Sequence, residues 1–534
     1  MKKKLPTGIQ SIKKILADQE YVYVDKTAII KKILNLGAPH CFISRPRRFG
    51  KSLFLDTLKE IFLGNKELFK ECAIYRSDYA WKKHPVIYFD FAKLSSLNPE
   101  ALKNDLVVTL RRLMATHGIS FNEPEASAQL HLNVLIEELA KKEGSVVVLV
   151  DEYDKPIIDR LHDLDLAFAN RDILQGFFGT LKSLDKHLRF TFTTGISKFS
   201  QVTLFSGFNN LKDLTMNPDY ADMMGYTEKD IEESFGEHIE AFLHEKKHMT
   251  RQGVLEEVRT WYNGYRFSEK ELTVFNPFST LNYFQDQRAE GYWYSSGTPT
   301  FLIHQLKKHS QSMISLDGAK ETKEQLLDIS ELEQINLSAL MYQAGYFTIQ
   351  GYNPLSKRYD LGFPNEEVRS AFINSLVQHF ATIPNLRASK ETIRALENYE
   401  VDIVFKTIEQ GFASFAYQVF VDAKERTYQG MLLAMLYGMG CDPLSEMPTN
   451  TGRIDVVLEV PSVTYIMELK LDGKADSALK QIREKNYHKP CMHKDKHIIL
   501  LGANFSSKER NISDWRGELL SPSGETLKTL SPTQ

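Results

Sequence analysis

Short apolar runs alternate with stretches of helical periodicity through the first 215 residues: CFIS from Cys41, VIYFDF from Val86, VVVLV from Val146 and FTFTT from Phe190. Buried-type strands alternating with helices predict a parallel sheet with helices on both faces. After Ser52 the chain reads LFLDTLKEIFL, which sets Leu53, Phe54, Leu58, Ile61 and Phe62 on one side of a helix, the side expected to pack on the sheet. From about Asp230 to Gln410 the pattern turns mainly helical (IEESFGEHIEAFLHEKK, TFLIHQLKK, NEEVRSAFINSLVQHF), with a short sheet expected around LMYQAGYFTIQGYN. After Ser414 it changes again. A helix through MLLAMLYGMG, strands at Asp455 and Tyr465, a helix near Ala478 and a strand HIILLGANF predict a small α/β module. No linker rich in Pro, Gly or Ser separates these pieces, so packed domains are expected.

At about 150 residues per domain, 534 residues leave room for three or four such units. Hydrophobic residues at 42%, charged residues at 25% and a formal charge of -3 exclude a collagen-like, wholly disordered or disulfide-scaffold chain. They also argue against a surface that is basic throughout, while leaving a local basic groove open. Cys41, Cys72, Cys441 and Cys491 lie far apart, with no C-x-x-C pair, so neither a zinc ribbon nor a disulfide framework is expected. The basic start MKKKLPTGIQSIKK leads into no apolar core, and no run of about 18 apolar residues appears. A cytoplasmic protein that does not span a membrane is the expectation.

The segment SRPRRFGKS follows the first apolar run and opens a helix, the context that a phosphate loop requires. Amide groups at a helix start point at phosphate oxygens, Lys51 can reach the β- and γ-phosphates, and the Ser52 hydroxyl can ligate Mg²⁺. Arg45 stands where GxxxxGK[ST] has its first glycine. The partner signal is VVVLVDEYDKP, which ends a buried-type strand on Asp151 and Glu152. Asp151 would hold the Mg²⁺ shell and Glu152 would polarise the attacking water. Thr194 or Ser197, at the end of FTFTTGIS, would contact the γ-phosphate or the water. The expected ATP-binding set is Arg48, Phe49, Gly50, Lys51, Ser52 and Asp151.

Near the C-terminus, GRIDVVLEVPSVTYIMELK holds an acid, a turn and then E-x-K, the skeleton of a metal-dependent phosphodiesterase site. Side chains alternate along a strand, so Glu468 and Lys470 share a face. A turn centred on Pro461-Ser462 gives a register whose paired positions sum to 923, with Asp455 opposite Glu468. Two facing carboxylates are unfavourable unless a cation lies between them. Mg²⁺, or Mn²⁺ in its place, meets that need with Asp455, Glu468 and the Leu469 carbonyl as ligands. Lys470 would orient or deprotonate the water and stabilise charge on the phosphate. The hypothesis fails if the two acids lie on opposite sheet faces. Lys480, Arg483, Lys485, Lys489, Lys494 and Lys496 form either a phosphate-tracking surface or a solvated face.

The stretches YVYVDKT, RPRRFGKS, VLVDEYDKP, WYNGYRF, FNPFS and FPNEEVR resemble the bacterial AAA-ATPase-like proteins that carry a C-terminal PD-(D/E)XK nuclease-type domain, and the likeness spans nearly the whole chain. The resemblance makes RPRRFGKS an ordinary form of the loop. It implies an α/β fold: an N-terminal P-loop NTPase of AAA type over 1–225, a helical lid over 226–290, a mainly helical middle domain over 291–410 and a nuclease-like domain over 411–534. Arg266 in WYNGYRF becomes either a lid arginine or a structural one. Asp455, Glu468 and Lys470 match the family's catalytic positions, Gln481 and Tyr487 an accessory motif. Glu425 matches a first-helix acid that would add a ligand, or is an exposed helix charge. Gln429 stands where some relatives have histidine. The implied function is an ATP-binding and ATP-hydrolysing protein coupled to a Mg²⁺-dependent nuclease, acting on DNA more than RNA. Its alternative is an ATP-dependent switch or scaffold whose nuclease-like domain binds nucleic acid or protein without cleaving.

Overall fold

The computed structural model of the protein describes residues 2–123, 125–198, 211–247, 249–295, 319–327, 336–372, 390–414, 425–439, 441, 443–449, 452–492 and 496–532. The expected helix TFLIHQLKK, the second half of NEEVRSAFINSLVQHF and Lys494 lie outside them. The described residues up to Arg369 form one compact unit and those from Ser370 onward a second. Residues 226–290 therefore group with the N-terminal sheet.

That sheet has five parallel strands, β1 (His40–Ser44), β2 (Val86–Asp90), β3 (Val146–Asp151), β4 (Leu188–Gly195) and β5 (Leu211–Asp213), in the order β2-β3-β4-β1-β5. The first four are the apolar runs read from the sequence. Every residue of β1 and β3 is buried, as expected of strands covered on both faces, and this explains their continuous apolar composition. The helix Lys51–Phe62 packs on the sheet through Phe54, Leu55, Leu58, Ile61 and Phe62. Leu55 takes the place expected of Leu53, which is half-buried, because side chains lean toward the helix N-terminus and shift the covered stripe.

Helices Glu228–Ser234, Gly236–Glu245, Arg251–Tyr262 and Pro277–Asp286 build their own core around Phe235, Phe242, Tyr262, Tyr283 and Phe284. The short sheet near LMYQAGYFTIQGYN is partly a helix. LSALMYQA folds as Leu337–Ala344, stopped by Gly345 at a left-handed φ of 89°. Only then does the antiparallel sheet of β6 (Lys320–Thr322), β7 (Thr348–Asn353) and β8 (Arg358–Gly362) form, in the order β6-β8-β7.

The second unit centres on six strands: β9 (Pro443–Thr449), β10 (Gly452–Glu459), β11 (Val463–Leu471), β12 (His497–Ser506), β13 (Asn511–Leu520) and β14 (Thr526–Leu530), in spatial order β14-β13-β12-β11-β10-β9. The central pair β11 and β12 is parallel, joined through the helix Ala475–Glu484, and the other pairs are antiparallel. One sheet face packs Tyr465, Met467, Leu469, Leu501 and Phe505 against Leu432 and Met435 of the helix Glu425–Gly438. The other packs Val457, Ile466 and Leu500 against Leu479 and Ile482. Gly502 admits that second helix, since a Cβ there would lie 2.3 Å from the Ala475 carbonyl oxygen. The sequence pattern did not announce β9, β13 or β14: β9 carries prolines, β13 interleaves charges and β14 is an exposed edge strand. Among the described residues no helix is long and apolar enough to cross a membrane.

Candidate functional site

Two sites emerge, one in each unit. In the first, β1 runs into the loop Arg45–Gly50 and then into the helix that starts at Lys51. Gly50 precedes that helix at φ 82°, and a Cβ there would meet nothing within 4 Å, so backbone conformation rather than space calls for glycine. No side chain caps the helix, which leaves its first amides available to an anion. Lys51 is 5% exposed and donates to the carbonyl oxygens of Arg45 (3.0 Å) and Pro46 (2.9 Å). Burial lowers the pKa of its ammonium, and the charges of Glu152, Asp151 and Asp154 oppose that shift.

Arg45 explains the missing glycine. Its side chain is 1% exposed, donates to the carbonyl oxygens of Ser44 (2.9 Å), Thr215 (2.8 Å) and Tyr220 (3.2 Å), and lies 4.0 Å from the centre of the Phe267 ring. It ties the end of β1 to the chain after β5. Burial lowers its pKa to about 10. Phe49 is equally enclosed, 4.7 Å from the Tyr265 ring and 5.5 Å from Phe267. Arg48 is exposed, with its guanidinium 4.6 Å over Phe278, and Ser52 is half-buried at the helix start. Arg266 takes the structural alternative: 7% exposed, it donates to the carbonyls of Ser268 and Glu269 in its own turn.

Asp151 ends β3 next to β4. Its Oδ1 accepts from the Thr194 hydroxyl (2.9 Å) and the Glu152 amide (3.0 Å), and the Tyr88 hydroxyl donates to Oδ2 at 3.2 Å. Glu152 is half-buried and sits at φ 49°, uncommon for a residue with a side chain. Thr194 thus bonds the carboxylate rather than standing free for a phosphate. The Ser197 hydroxyl donates to Asp154 at 2.7 Å, so the expectation that it serves phosphate or water is corrected: a deeply buried carboxylate claims it. Asp154 was overlooked in the sequence. It is 1% exposed, and burial raises its pKa to about 6 against the Ser197 hydrogen bonds. Its only sequence signal was a third acid in DEYDKP.

In the second unit the register is as read. Val456 pairs with Met467, Val457 with Ile466, Leu458 with Tyr465 and Glu459 with Thr464, all summing to 923, which sets Asp455 across from Glu468. Glu468 faces the helix Ala475–Glu484, whose Gln481 bonds it, and the Asp455 charge acts on Glu468, so the two carboxylates lie near one another. Asp455 Oδ2 accepts from the Leu469 amide at 2.8 Å, and Gln429 donates to the Asp455 carbonyl at 2.9 Å. Glu468 is 2% exposed: Oε1 accepts from Lys470 at 3.3 Å and from Gln481, while Oε2 is buried with no donor. Burial, then the Asp455 charge, raise its pKa to about 7. A buried acceptor without a donor, facing a second carboxylate, is an arrangement that a cation completes.

Glu425 accepts from the Leu471 amide through Oε2 at 3.0 Å, and its charge is among those that raise the pKa of Glu468. Among the described residues no group of three or more His, Cys, Asp and Glu is arranged to hold a metal. Tyr487 is 2% exposed and abuts the start of β10, where a Cβ on Gly452 would lie 2.5 Å from its hydroxyl. The basic run is partly neutralised: Arg483 pairs with Glu518, Lys480 lies 3.6 Å from Glu484 and Lys496 3.5 Å from Glu459. Gln429, noted in the sequence only as standing where some relatives have histidine, thus contacts the backbone of Asp455.

A nucleotide loop on a parallel sheet, joined in one chain to a two-carboxylate hairpin in a mixed sheet, defines a class that pairs an AAA-type unit with a PD-(D/E)XK core. Residues 6–205 match the family described as predicted AAA-ATPase, and residues 423–515 match the PD-(D/E)XK nuclease superfamily. A protein of Azotobacter chroococcum mcd 1, "Uncharacterized protein in vnfD 5'region", is 34% identical over 523 residues, covering 96% of this chain and 98% of the relative. The chain belongs to the family of bacterial AAA-ATPase-like proteins with a C-terminal PD-(D/E)XK nuclease superfamily domain. Such domains in general use a nucleotide and a divalent metal. Two solved structures are distantly similar. The Aeropyrum pernix ORC1 protein in complex with DNA has a TM-score of 0.26 at 10% identity, covering 69% of this chain and 96% of its own. The Aeropyrum pernix ORC2 protein has a TM-score of 0.24 at 12% identity, covering 64% and 88%.

Proposed function

We propose that the protein binds and hydrolyses ATP in its first unit and cleaves phosphodiesters, DNA before RNA, with Mg²⁺ or Mn²⁺ in its second. On this reading Lys51 and the loop amides from Arg48 to Ser52 hold the phosphates, Ser52 and Asp151 hold the metal shell, and Glu152 takes the water proton. Asp151 is fixed for that task by Thr194 and Tyr88. In the second unit Asp455 and Glu468 would hold the divalent ion, which supplies charge neutralisation at the scissile phosphate. Gln481 and Lys470 orient Glu468, Gln429 steadies the Asp455 backbone, and Lys470 would stabilise charge on the phosphate.

The observation that carries the proposal is the buried Glu468 Oε2 with no donor, across from Asp455. A second reading, a switch whose nuclease-like unit binds nucleic acid or protein without cleaving, draws on the absence, among the described residues, of a group of three or more His, Cys, Asp and Glu that could hold a metal. We read 1–225, 226–290, 291–410 and 411–534 as the functional segments. The cytoplasm is the proposed compartment, in keeping with four free cysteines. Control of cleavage by ATP requires two states of different nucleotide affinity.

The test is incubation of the full chain with DNA and RNA, with Mg²⁺ or Mn²⁺, with and without ATP, beside Asp455→Ala and Lys51→Ala. Cleavage that persists in Asp455→Ala removes the assigned site, and cleavage indifferent to Lys51→Ala removes control by ATP. No cleavage by the wild type, with nucleic acid still bound, favours the switch.

A further inference from the structure

The loop after β4, Ile196–Lys198, is held from two sides. On one side is the acidic turn after β3. Asp154 Oδ2 accepts from the amides of Ile196 (3.0 Å) and Ser197 (2.7 Å) and from the Ser197 hydroxyl (2.7 Å), and the Tyr153 hydroxyl donates to the Ser197 carbonyl at 3.0 Å. On the other side is Gln343, 145 residues further along the chain from Lys198. Its side chain is 4% exposed and engaged at both ends: Oε1 accepts from the Lys198 amide at 2.7 Å, and Nε2 donates to the Leu326 carbonyl at 2.7 Å. A buried amide so placed resists displacement, because any shift leaves a buried donor or acceptor unpaired.

The helix that carries Gln343, Leu337–Ala344, is buried at every position. It ends at Gly345, where a Cβ would lie 2.6 Å from Pro46 Cβ in the phosphate loop. One element therefore touches both the phosphate loop, whose Lys51 interacts with the charges of Asp151 and Glu152, and the loop after β4, the strand next to β3. Glu152 needs that support. Its φ of 49° is maintained by its surroundings, among them the Tyr153 amide bonded to the Thr194 carbonyl at 3.1 Å, just before the clamped loop.

We propose that Gln343 is a positioning residue of the nucleotide site, which fixes the loop after β4 against the Glu152 turn and couples nucleotide occupancy to the helix Leu337–Ala344. The inference rests on ATP binding at the phosphate loop, as proposed above. Lys51 and the loop amides do not depend on Gln343, so its loss leaves affinity in place and lowers turnover.

The experiment compares wild type, Gln343→Met, Gln343→Glu and Glu152→Gln as full chains. Binding is read with a fluorescent ATP analogue, turnover as kcat and KM, folding as Tm, and the helix by hydrogen exchange with and without nucleotide. Gln343→Met, close in shape but unable to bond, is expected to lose about tenfold or more in kcat with a nucleotide Kd within about twofold. Gln343→Glu, which still accepts from Lys198, is expected to fall between it and wild type. Nucleotide is expected to slow exchange of Leu337–Ala344 in wild type and in Glu152→Gln, but not in Gln343→Met. The inference is overturned if Gln343→Met keeps wild-type kcat and nucleotide-dependent exchange, or if Kd, kcat and Tm fall together. If wild type and Glu152→Gln turn over equally, the hydrolytic reading fails, while the exchange comparison still decides the role of Gln343. A wild type that binds no nucleotide overturns both.

Discussion

The two sites differ in how far along the chain their parts are drawn. The nuclease-like site is nearly all local: Asp455, Glu468 and Lys470 sit on one hairpin, and Gln481 arrives on the next helix. The nucleotide site gathers its supports from Arg45 to Gly345. Phe49 packs on Tyr265 and Phe267, the Trp293 indole donates to the Arg47 carbonyl at 3.2 Å, and Gly345 closes on Pro46. A hairpin presents its two carboxylates by register alone, whereas a phosphate loop must be braced because its useful groups are backbone amides.

The largest expected effect separates the sites outright. Asp455→Ala is expected to lower metal-dependent cleavage by about 10³-fold or more while leaving ATP binding unchanged, read by gel assay and nucleotide titration. A parallel loss of ATP binding would show that the units are not independent. Lys51→Ala is the reciprocal change, expected to weaken nucleotide binding or turnover by about 10²-fold. Unchanged binding and turnover in that variant would remove the phosphate loop from the account.

The brace itself can be broken. Arg45→Gly restores the motif's first glycine yet is expected to destabilise the first unit by about 2 kcal/mol or more, because the carbonyls of Thr215 and Tyr220 lose their buried donor. A higher Tm in that variant would reverse the reading of Arg45 as a strut. A smaller effect concerns Glu367, whose Oε1 accepts from the Ser279 hydroxyl (3.0 Å) and the Trp293 amide (2.7 Å). Burial raises its pKa from 4.5 to about 8. Its folded-state pKa exceeds the unfolded value, so its contribution is fully present below about 4.5 and is lost as pH rises through about 8. Glu367→Gln is expected to flatten that decline in Tm between those limits, and an unchanged slope would remove Glu367 as its source.

The same contrast separates what could be read from the sequence. The strands β1 to β4 and β10 to β12 were legible because apolar runs report burial directly, and the 923 register followed from alternation and one turn at Pro461-Ser462. The strands β9, β13 and β14 were not: β9 and β14 are edge strands without an apolar run, and β13, though inside the sheet, interleaves charges with its apolar residues. LMYQA was read toward a sheet and folds as a helix, since a short run buried all round has no period to betray it. Asp154 and Gln343 were missed for a different reason: their role lies in which backbone amides they meet.

By itself, then, the sequence determined the strand-and-helix alternation, the phosphate-loop string with its acidic partner and the facing carboxylates of the hairpin, all of which depend on spacing within one or two elements. Only the tertiary structure decided that Arg45 is a strut, that Ser197 answers to Asp154 and that a helix some 290 residues after the phosphate loop touches it. Those outcomes depend on which buried polar groups meet across the core. Their energies come from desolvation and hydrogen bonding between distant segments, which no local pattern encodes.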